Sequence, residues 1–223
     1  MRLHEFRAGR DSIRQEPYRR AMHWFDDADA IAPVLPAIWL VRTDADPRNL
    51  TERSALRRGL ARRVVARQLG CREDEVVIEH DKAGQPFLAL PSARDLHLSL
   101  ATRAGVVATG LAQHPVGVDV ERVDPEALPP LDLLHPEERG FVAATAPAFR
   151  PLAFARLWAA KEAYVKALGT GFVRPPESFC VSLLSDDRFS VRDPQHPAKR
   201  QGELRLMKNG GQDVLAAAAI VLD

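Results

Sequence analysis

Two cysteines in 223 residues, Cys71 and Cys180, are too few and too widely separated for a disulfide framework or a metal knuckle. They read as buried thiols of a protein kept in a reducing compartment. Charge of one sign is also missing: 31 Lys plus Arg against 30 Asp plus Glu leave a net +1, which disfavours nucleic acid as the main partner. The longest apolar run, residues 214–222, is nine residues long, short of the ~20 that a membrane-crossing helix needs. The start, Met1, Arg2, Leu3, His4, Glu5, lacks the apolar stretch and small-residue cleavage site of a secretory signal. A cytoplasmic protein with no membrane partner is the expectation. The seven histidines include no pair four apart and no HExxH, and there is no Walker A loop and no GxSxG elbow. With 46% apolar and 27% charged residues, disorder and fibrous classes are disfavoured, and the length suits one large domain or two small ones.

The patterning present is that of a mixed protein. Residues 1–36 combine charges with Trp24, Phe25 and three prolines without a sustained period, and read as an irregular N-terminal arm. A short apolar run at 37–41 reads as a strand. Over 50–69, Leu56, Leu60 and Val64 recur every four residues among six arginines, which predicts an amphipathic helix closed by Gly70. Short strands are expected at 76–79, 96–100 and 106–111, the first two joined by a turn-rich stretch with Asp81, Gly84 and Pro86. Pro136, Glu137 and Glu138 open a helix, and a longer one covers about 151–168 before Gly169 stops it. Weaker strand signals lie at 179–184 and 214–222. Each half offers strands and one long helix, so the expected class is α+β, with an N-terminal lobe at 37–114 and a C-terminal lobe at 115–223.

Two segments carry candidate chemistry. Residues 117–121 alternate with period two, so Val118 and Val120 face one way while Asp119 and Glu121 project side by side from the other. For this segment alone, a half-buried strand with a wet polar face is the simpler explanation. Gly117 on the acidic face favours a site, because a missing side chain leaves room for a ligand. On the long helix, Trp158, Glu162 and Lys166 share one face. Alone, Glu162 and Lys166 would be a surface ion pair worth ~0.2–0.5 kcal/mol. Taken together, Asp119, Glu121 and Glu162 make a hard-oxygen donor set for magnesium, with Lys166 one turn beyond. The chemistry suggested is displacement at phosphorus, in which the metal neutralises a pyrophosphate, the lysine steadies the leaving oxyanion and a carboxylate takes the proton of an attacking hydroxyl.

The string 117–121, followed about forty residues later by Trp158, Lys161, Glu162 and Lys166, resembles the two signature motifs of the Sfp-type 4′-phosphopantetheinyl transferases. The likeness runs from about Ala37 to most of the rest of the chain, through the arginine-bearing helix, the Gly84, Gln85, Pro86 turn, Ser99 and the 136–138 helix start; residues 1–36 lie outside it. The resemblance implies an enzyme that moves the phosphopantetheine arm of coenzyme A onto a serine of an acyl or peptidyl carrier protein and releases adenosine 3′,5′-bisphosphate. It implies two pseudo-twofold-related lobes, each a small, mainly antiparallel sheet packed with a long helix, with the coenzyme between them. A monomer is expected, since two internal lobes complete the cleft. By matching positions, Asp119, Glu121 and Glu162 would bind magnesium, Glu162 would double as base, and Lys166 would hold the pyrophosphate. Arg53 would meet the coenzyme's 3′-phosphate, Ser99 would stand at the cleft, and Gly84 and Pro86 would shape its adenine side.

This chain departs from the family pattern at two places, with Gln85 where lysine is usual and Leu100 where histidine is usual. Each change removes a charge-assisted hydrogen bond, so together they weaken coenzyme binding by ~3–6 kcal/mol if nothing compensates. Arg103 and His97 are the expected compensating groups. Residues 168–179, apolar at Leu168, Phe172 and Val173, are expected to be the carrier-facing edge or a buried lobe connection. The departures leave open a second reading, a catalytically degenerate member that binds carrier or coenzyme as a scaffold. An unrelated magnesium phosphotransferase would need a nucleotide cradle that the sequence does not show.

Overall fold

The structure, a computed structural model, describes residues 21–222 except 46, 93–94, 127–128, 171–173 and 210–212. In chain order its elements are β1 (His23–Phe25), β2 (Ala37–Arg42), α1 (Leu50–Leu69), β3 (Val77–His80), β4 (Pro86–Leu90), β5 (His97–Arg103), β6 (Val106–Ala112) and β7 (Val116–Val123). There follow α2 (Pro136–Ala144), α3 (Arg150–Leu168), β8 (Cys180–Leu183), β9 (Arg188–Asp193), β10 (His196–Asn209) and β11 (Asp213–Val221). One sheet has the order β1-β2-β6-β5, another the order β7-β11-β10-β9-β8, and β3 and β4 form a separate ribbon. All pairs are antiparallel except β1 with β2. The class is α+β, as the patterning implies.

Alternation along the strands builds four layers. Trp39, Leu98, Leu100 and Leu111 face α1, where Ala61, Val64 and Val65 receive them. The opposite face of that sheet, with Ile38, Leu40, Ala101 and Ala108, packs against Val116, Val118, Val120, Leu215, Ala217 and Ala219 of the second sheet. The outer face of the second sheet, including Ala218 and Ile220, receives α3. Helix α1 starts where the sequence signals it: the Asn49 side chain accepts the Glu52 N–H at 2.9 Å, and Gly70 closes the last turn.

The N-terminal arm is ordered further than its irregular pattern suggests. Trp24 Nε1 donates to Glu203 Oε2 at 2.8 Å and Met22 N to Glu203 Oε1 at 3.0 Å, so one carboxylate of β10 draws residues 22–25 onto the body. Ala28 and Ala32 are buried against α1. Residues 1–20 lie outside the described residues. Strand β4 occupies part of what reads as a turn-rich stretch, because Pro86 can open a strand without needing its N–H.

The role expected of Gly117 is corrected by its surroundings. A Cβ there would lie 1.8 Å from Ala163 O and 2.7 Å from Ala167 N, so the missing side chain admits the backbone of α3 and not a ligand. Gly117→Ala is expected to destabilise the protein by about 3 kcal/mol, the upper end of ordinary overpacking. A urea midpoint indistinguishable from that of the parent protein would contradict the closeness of α3.

Candidate functional site

The seam between β7 and α3 collects the acidic motif. Asp119 is 6% exposed, and its Oδ1 accepts from Lys166 Nζ at 2.6 Å; the same ammonium donates to Val118 O at 3.3 Å. The other oxygen, Asp119 Oδ2, is buried without a hydrogen-bond partner among the described residues. Glu121 lies further along the strand, its Oε2 3.4 Å from Arg103 Nε. Burial, reinforced by the Asp119 carboxylate, raises the Glu121 pKa. The same two causes push Glu162, across the seam on α3, up to about 7.

A cleft of about 150 Å³ opens beside this seam. Lys166 and Gly169 line it from α3, and Gly84, Gln85, Pro86 and Leu100 line it from the N-terminal half. The turn is shaped by Asp81, whose Oδ1 accepts the N–H groups of Ala83 at 2.8 Å and Gln85 at 2.9 Å. Gly84 sits at φ 83°, a left-handed conformation that favours glycine. The Gln85 amide rests against Gly169, the cap of α3. Ser99 also lines the cleft, and its buried hydroxyl accepts the Val118 N–H at 3.0 Å, joining β5 to the free edge of β7.

Other expected residues stand elsewhere. Arg53 is exposed and is not among the residues lining the cleft; Arg57, one turn further along α1, lines it together with His80. Neither Arg57 nor His80 stood out in the sequence, although an i, i+4 relation to Arg53 and the pairing of His80 with Pro86 across the ribbon were available signals. Arg103 pairs with Glu121 and lines a second hollow, of about 190 Å³, with Phe154 and Pro130. His97 is outside the cleft lining, and burial and His114 lower its pKa. In the segment proposed as a carrier edge, residues 171–173, which include Phe172 and Val173, lie outside the described residues; Arg174 is held by Asp193 and Phe179 is buried.

Lys161, beside Glu162 in the motif, turns away from the seam. It is 1% exposed, and its Nζ lies 2.8 Å from Glu138 Oε1, Pro176 O and Phe179 O. Glu138 also accepts the N–H groups of Val181 and His135, so the pair ties α2, α3 and β8 together. Burial pulls the Lys161 pKa down. Lys161→Met leaves a buried carboxylate uncompensated and is expected to cost about 3–5 kcal/mol in chemical denaturation.

Magnesium suits the donor set by three observations: the acids offer hard oxygens, one buried oxygen of Asp119 lacks a partner among the described residues, and burial together with the Asp119 charge keeps Glu162 from ionising normally. The arrangement is not closed around an ion. Among the described residues no three His, Cys, Asp or Glu side chains are grouped to hold a metal, and Lys166 compensates Asp119 instead. The raised pKa of Glu162 carries a stability consequence. Its folded value of about 7 exceeds the ordinary 4.5, so between these pH values the folded protein binds more protons than the unfolded chain and stability falls as pH rises. In chelator-treated protein the urea midpoint is expected to drop from pH 5 to pH 7.5, and Glu162→Gln to drop less; equal slopes would contradict the assignment.

Comparison with known proteins gives a family-model match to the 4′-phosphopantetheinyl transferase superfamily over residues 115–219, the part that contains the seam. The 4′-phosphopantetheinyl transferase gsp of Aneurinibacillus migulanus is 27% identical over 130 residues, covering 58% of this chain and 53% of its own length. The 4′-phosphopantetheinyl transferase Sfp of Bacillus subtilis (strain 168) is 26% identical over 136 residues, 60% of either chain. The chain thus matches between about half and three-fifths of the length of these curated relatives. The match is centred on the strand and helix that hold Asp119, Glu121, Glu162 and Lys166, so this part of the chain is similar to the 4′-phosphopantetheinyl transferase superfamily, with relatives of the Sfp type among its matches.

Proposed function

We propose that this protein transfers the 4′-phosphopantetheine arm of coenzyme A to a serine of an acyl or peptidyl carrier protein, releasing adenosine 3′,5′-bisphosphate. The observation that carries the reading is Lys166, which pairs with Asp119 at the acidic seam and also lines a cleft whose other wall is the Gly84, Gln85, Pro86 turn. Asp119, Glu121 and Glu162 would hold magnesium, which neutralises charge on a bound pyrophosphate. The Glu162 carboxylate, whose pKa burial and Asp119 push up to about 7 and a bound cation would lower, would accept the serine hydroxyl proton as the serine oxygen bonds to phosphorus. The phosphorus–oxygen bond to the adenosine bisphosphate breaks, and the Lys166 ammonium at the seam steadies the negative charge that leaves. The working compartment is the reducing cytoplasm, where Cys71 and Cys180 remain free thiols. Among the described residues no helix is long and apolar enough to cross a membrane.

A second reading, a non-catalytic scaffold, is favoured by the direct Lys166–Asp119 ion pair and by aliphatic Leu100 in the cleft wall. Incubation with coenzyme A, magnesium and a panel of apo carrier proteins, followed by mass spectrometry of the carriers, separates the two. Transfer adds the mass of the arm to a carrier and stops on chelation, and Glu162→Gln is expected to slow it about 10²- to 10⁴-fold. Carrier capture without a mass gain across the panel supports the scaffold.

A further inference from the structure

One buried carboxylate outside the acidic seam gathers four residues around it. Asp193, the last residue of β9, is 3% exposed. Its Oδ2 accepts from the Tyr164 hydroxyl at 2.8 Å and from Arg174 Nη1 at 2.5 Å, and lies 3.0 Å from His196 Nδ1. Its Oδ1 accepts from Arg174 Nη2 at 2.7 Å and from the Gln195 N–H at 2.8 Å. Burial alone would raise the Asp193 pKa, but the bonds from Arg174, His196 and Tyr164 more than offset it and hold the carboxyl below its ordinary range. Burial, and then the Asp193 bond, raise the Tyr164 pKa, so its hydroxyl remains a donor. With both oxygens engaged, whatever Asp193 does for the site it does through these partners.

Tyr164 stands on α3 two residues from Glu162 and two from Lys166. At 3.6 residues per turn it leaves the helix roughly 200° around from both. Gly117 sets how near α3 lies to β7, yet a helix at fixed distance is still free to turn about its own axis. The Tyr164 hydroxyl, tied to β9, removes that freedom. Arg174 carries the same restraint into the stretch between α3 and β8, donating to Ser178 Oγ at 2.8 Å. Lys161 holds the helix to that stretch about one turn earlier, through Pro176 O and Phe179 O. We propose that Asp193 is a positioning residue for the acidic site: through Tyr164 and Arg174 it fixes the rotation of α3 that presents Glu162 and Lys166 to β7. Its kinetic consequence rests on the transferase reading above, and its binding consequence on the metal donor set alone.

The test combines steady-state loading of a carrier found in the panel with manganese binding, read from the electron paramagnetic resonance of the free ion; manganese shares the hard-oxygen preference of magnesium. Tyr164→Phe keeps the ring and its contact with Phe179, 5.1 Å between centroids, and removes only the hydroxyl. It is expected to lower kcat about 10-fold, with the KM for coenzyme A within about twofold, because the reacting groups are misaligned while the cleft wall is kept. Manganese affinity is expected to fall about 10-fold. Asp193→Asn is expected to do both more strongly and to speed amide exchange over 160–169. Glu203→Gln, which frees Trp24 and Met22 of the N-terminal arm, controls for lost stability and is expected to leave kcat and manganese affinity unchanged. Parental manganese affinity in Tyr164→Phe, or equal losses in Glu203→Gln, would overturn the assignment, as would a parent protein that binds no manganese. Weakened manganese binding in Tyr164→Phe, with no carrier loaded by the parent protein, would leave it standing while the transferase reading fell. Carrier loading by the parent protein, with manganese affinity unchanged in Tyr164→Phe, would do the reverse.

Discussion

The bare α-carbon of Gly117 sets how closely α3 can lie on β7, and the acidic site depends on that distance. The backbone of α3 at Ala163 and Ala167 fills the space that any Cβ at 117 would need. Small residues extend the close contact, with Ala159, Ala160, Ala163 and Ala167 on the helix and Ala218 on β11 in one packed cluster. Two steps along a strand advance roughly 6.6 Å and one helical turn roughly 5.4 Å, so two rows with those spacings can run side by side. Asp119 and Glu121 form the strand row; Glu162 and Lys166 form the helix row. One face of β7 must therefore be bare at one position and carboxylated at the next two of the same parity.

The same helix carries two sets of opposite charges, and their degree of closure separates architecture from chemistry. Around Lys161 and Glu138 the ammonium meets a carboxylate and two carbonyls, while the carboxylate also takes two backbone N–H groups. That set has no capacity left for a ligand. At the seam, Lys166 and Arg103 face three acids, one carboxylate oxygen is buried without a partner among the described residues, and Glu162 is driven up to about 7. Residual negative potential of this kind destabilises the folded chain unless a cation arrives, which is how a site for hard-oxygen chemistry differs from an ion pair that only joins elements.

Elements with strong periodicity were legible in the sequence. The α1 span, 50–69, follows directly from Leu56, Leu60, Val64 and the Gly70 stop, and the 117–121 alternation sits inside β7. Strand β10, 14 residues long, was not legible. Its residues include Pro197, Lys199, Arg200 and Gly202, and an irregularity between His196 and Arg200 breaks its register with β9. Strand β1 has only three residues, paired parallel to β2 and secured by the distant Glu203, which no local pattern reveals. The acids and Lys166 were legible because type and spacing are properties of the chain. Which of six arginines on α1 meets the cleft was not, because that depends on where the ribbon of β3 and β4 folds back over the helix.

The two departures from the family pattern exchange charge for packing. Leu100 is 5% exposed, lies in the cluster with Trp39, Leu98 and Val64, and still forms cleft wall, so its side chain seals α1 onto the sheet where an imidazole would need a polar partner. Gln85 places its amide against the cap of α3, making the turn a contact between the two halves of the chain. Both exchanges leave the cleft wall with fewer ionisable groups. Attraction of an anion then rests less on a summed positive field, which salt screens, and more on a few donors held at fixed positions. Affinity is kept under those conditions only if the remaining cations are already oriented. Lys166, held by Asp119 Oδ1 and Val118 O, meets that condition from the acidic side.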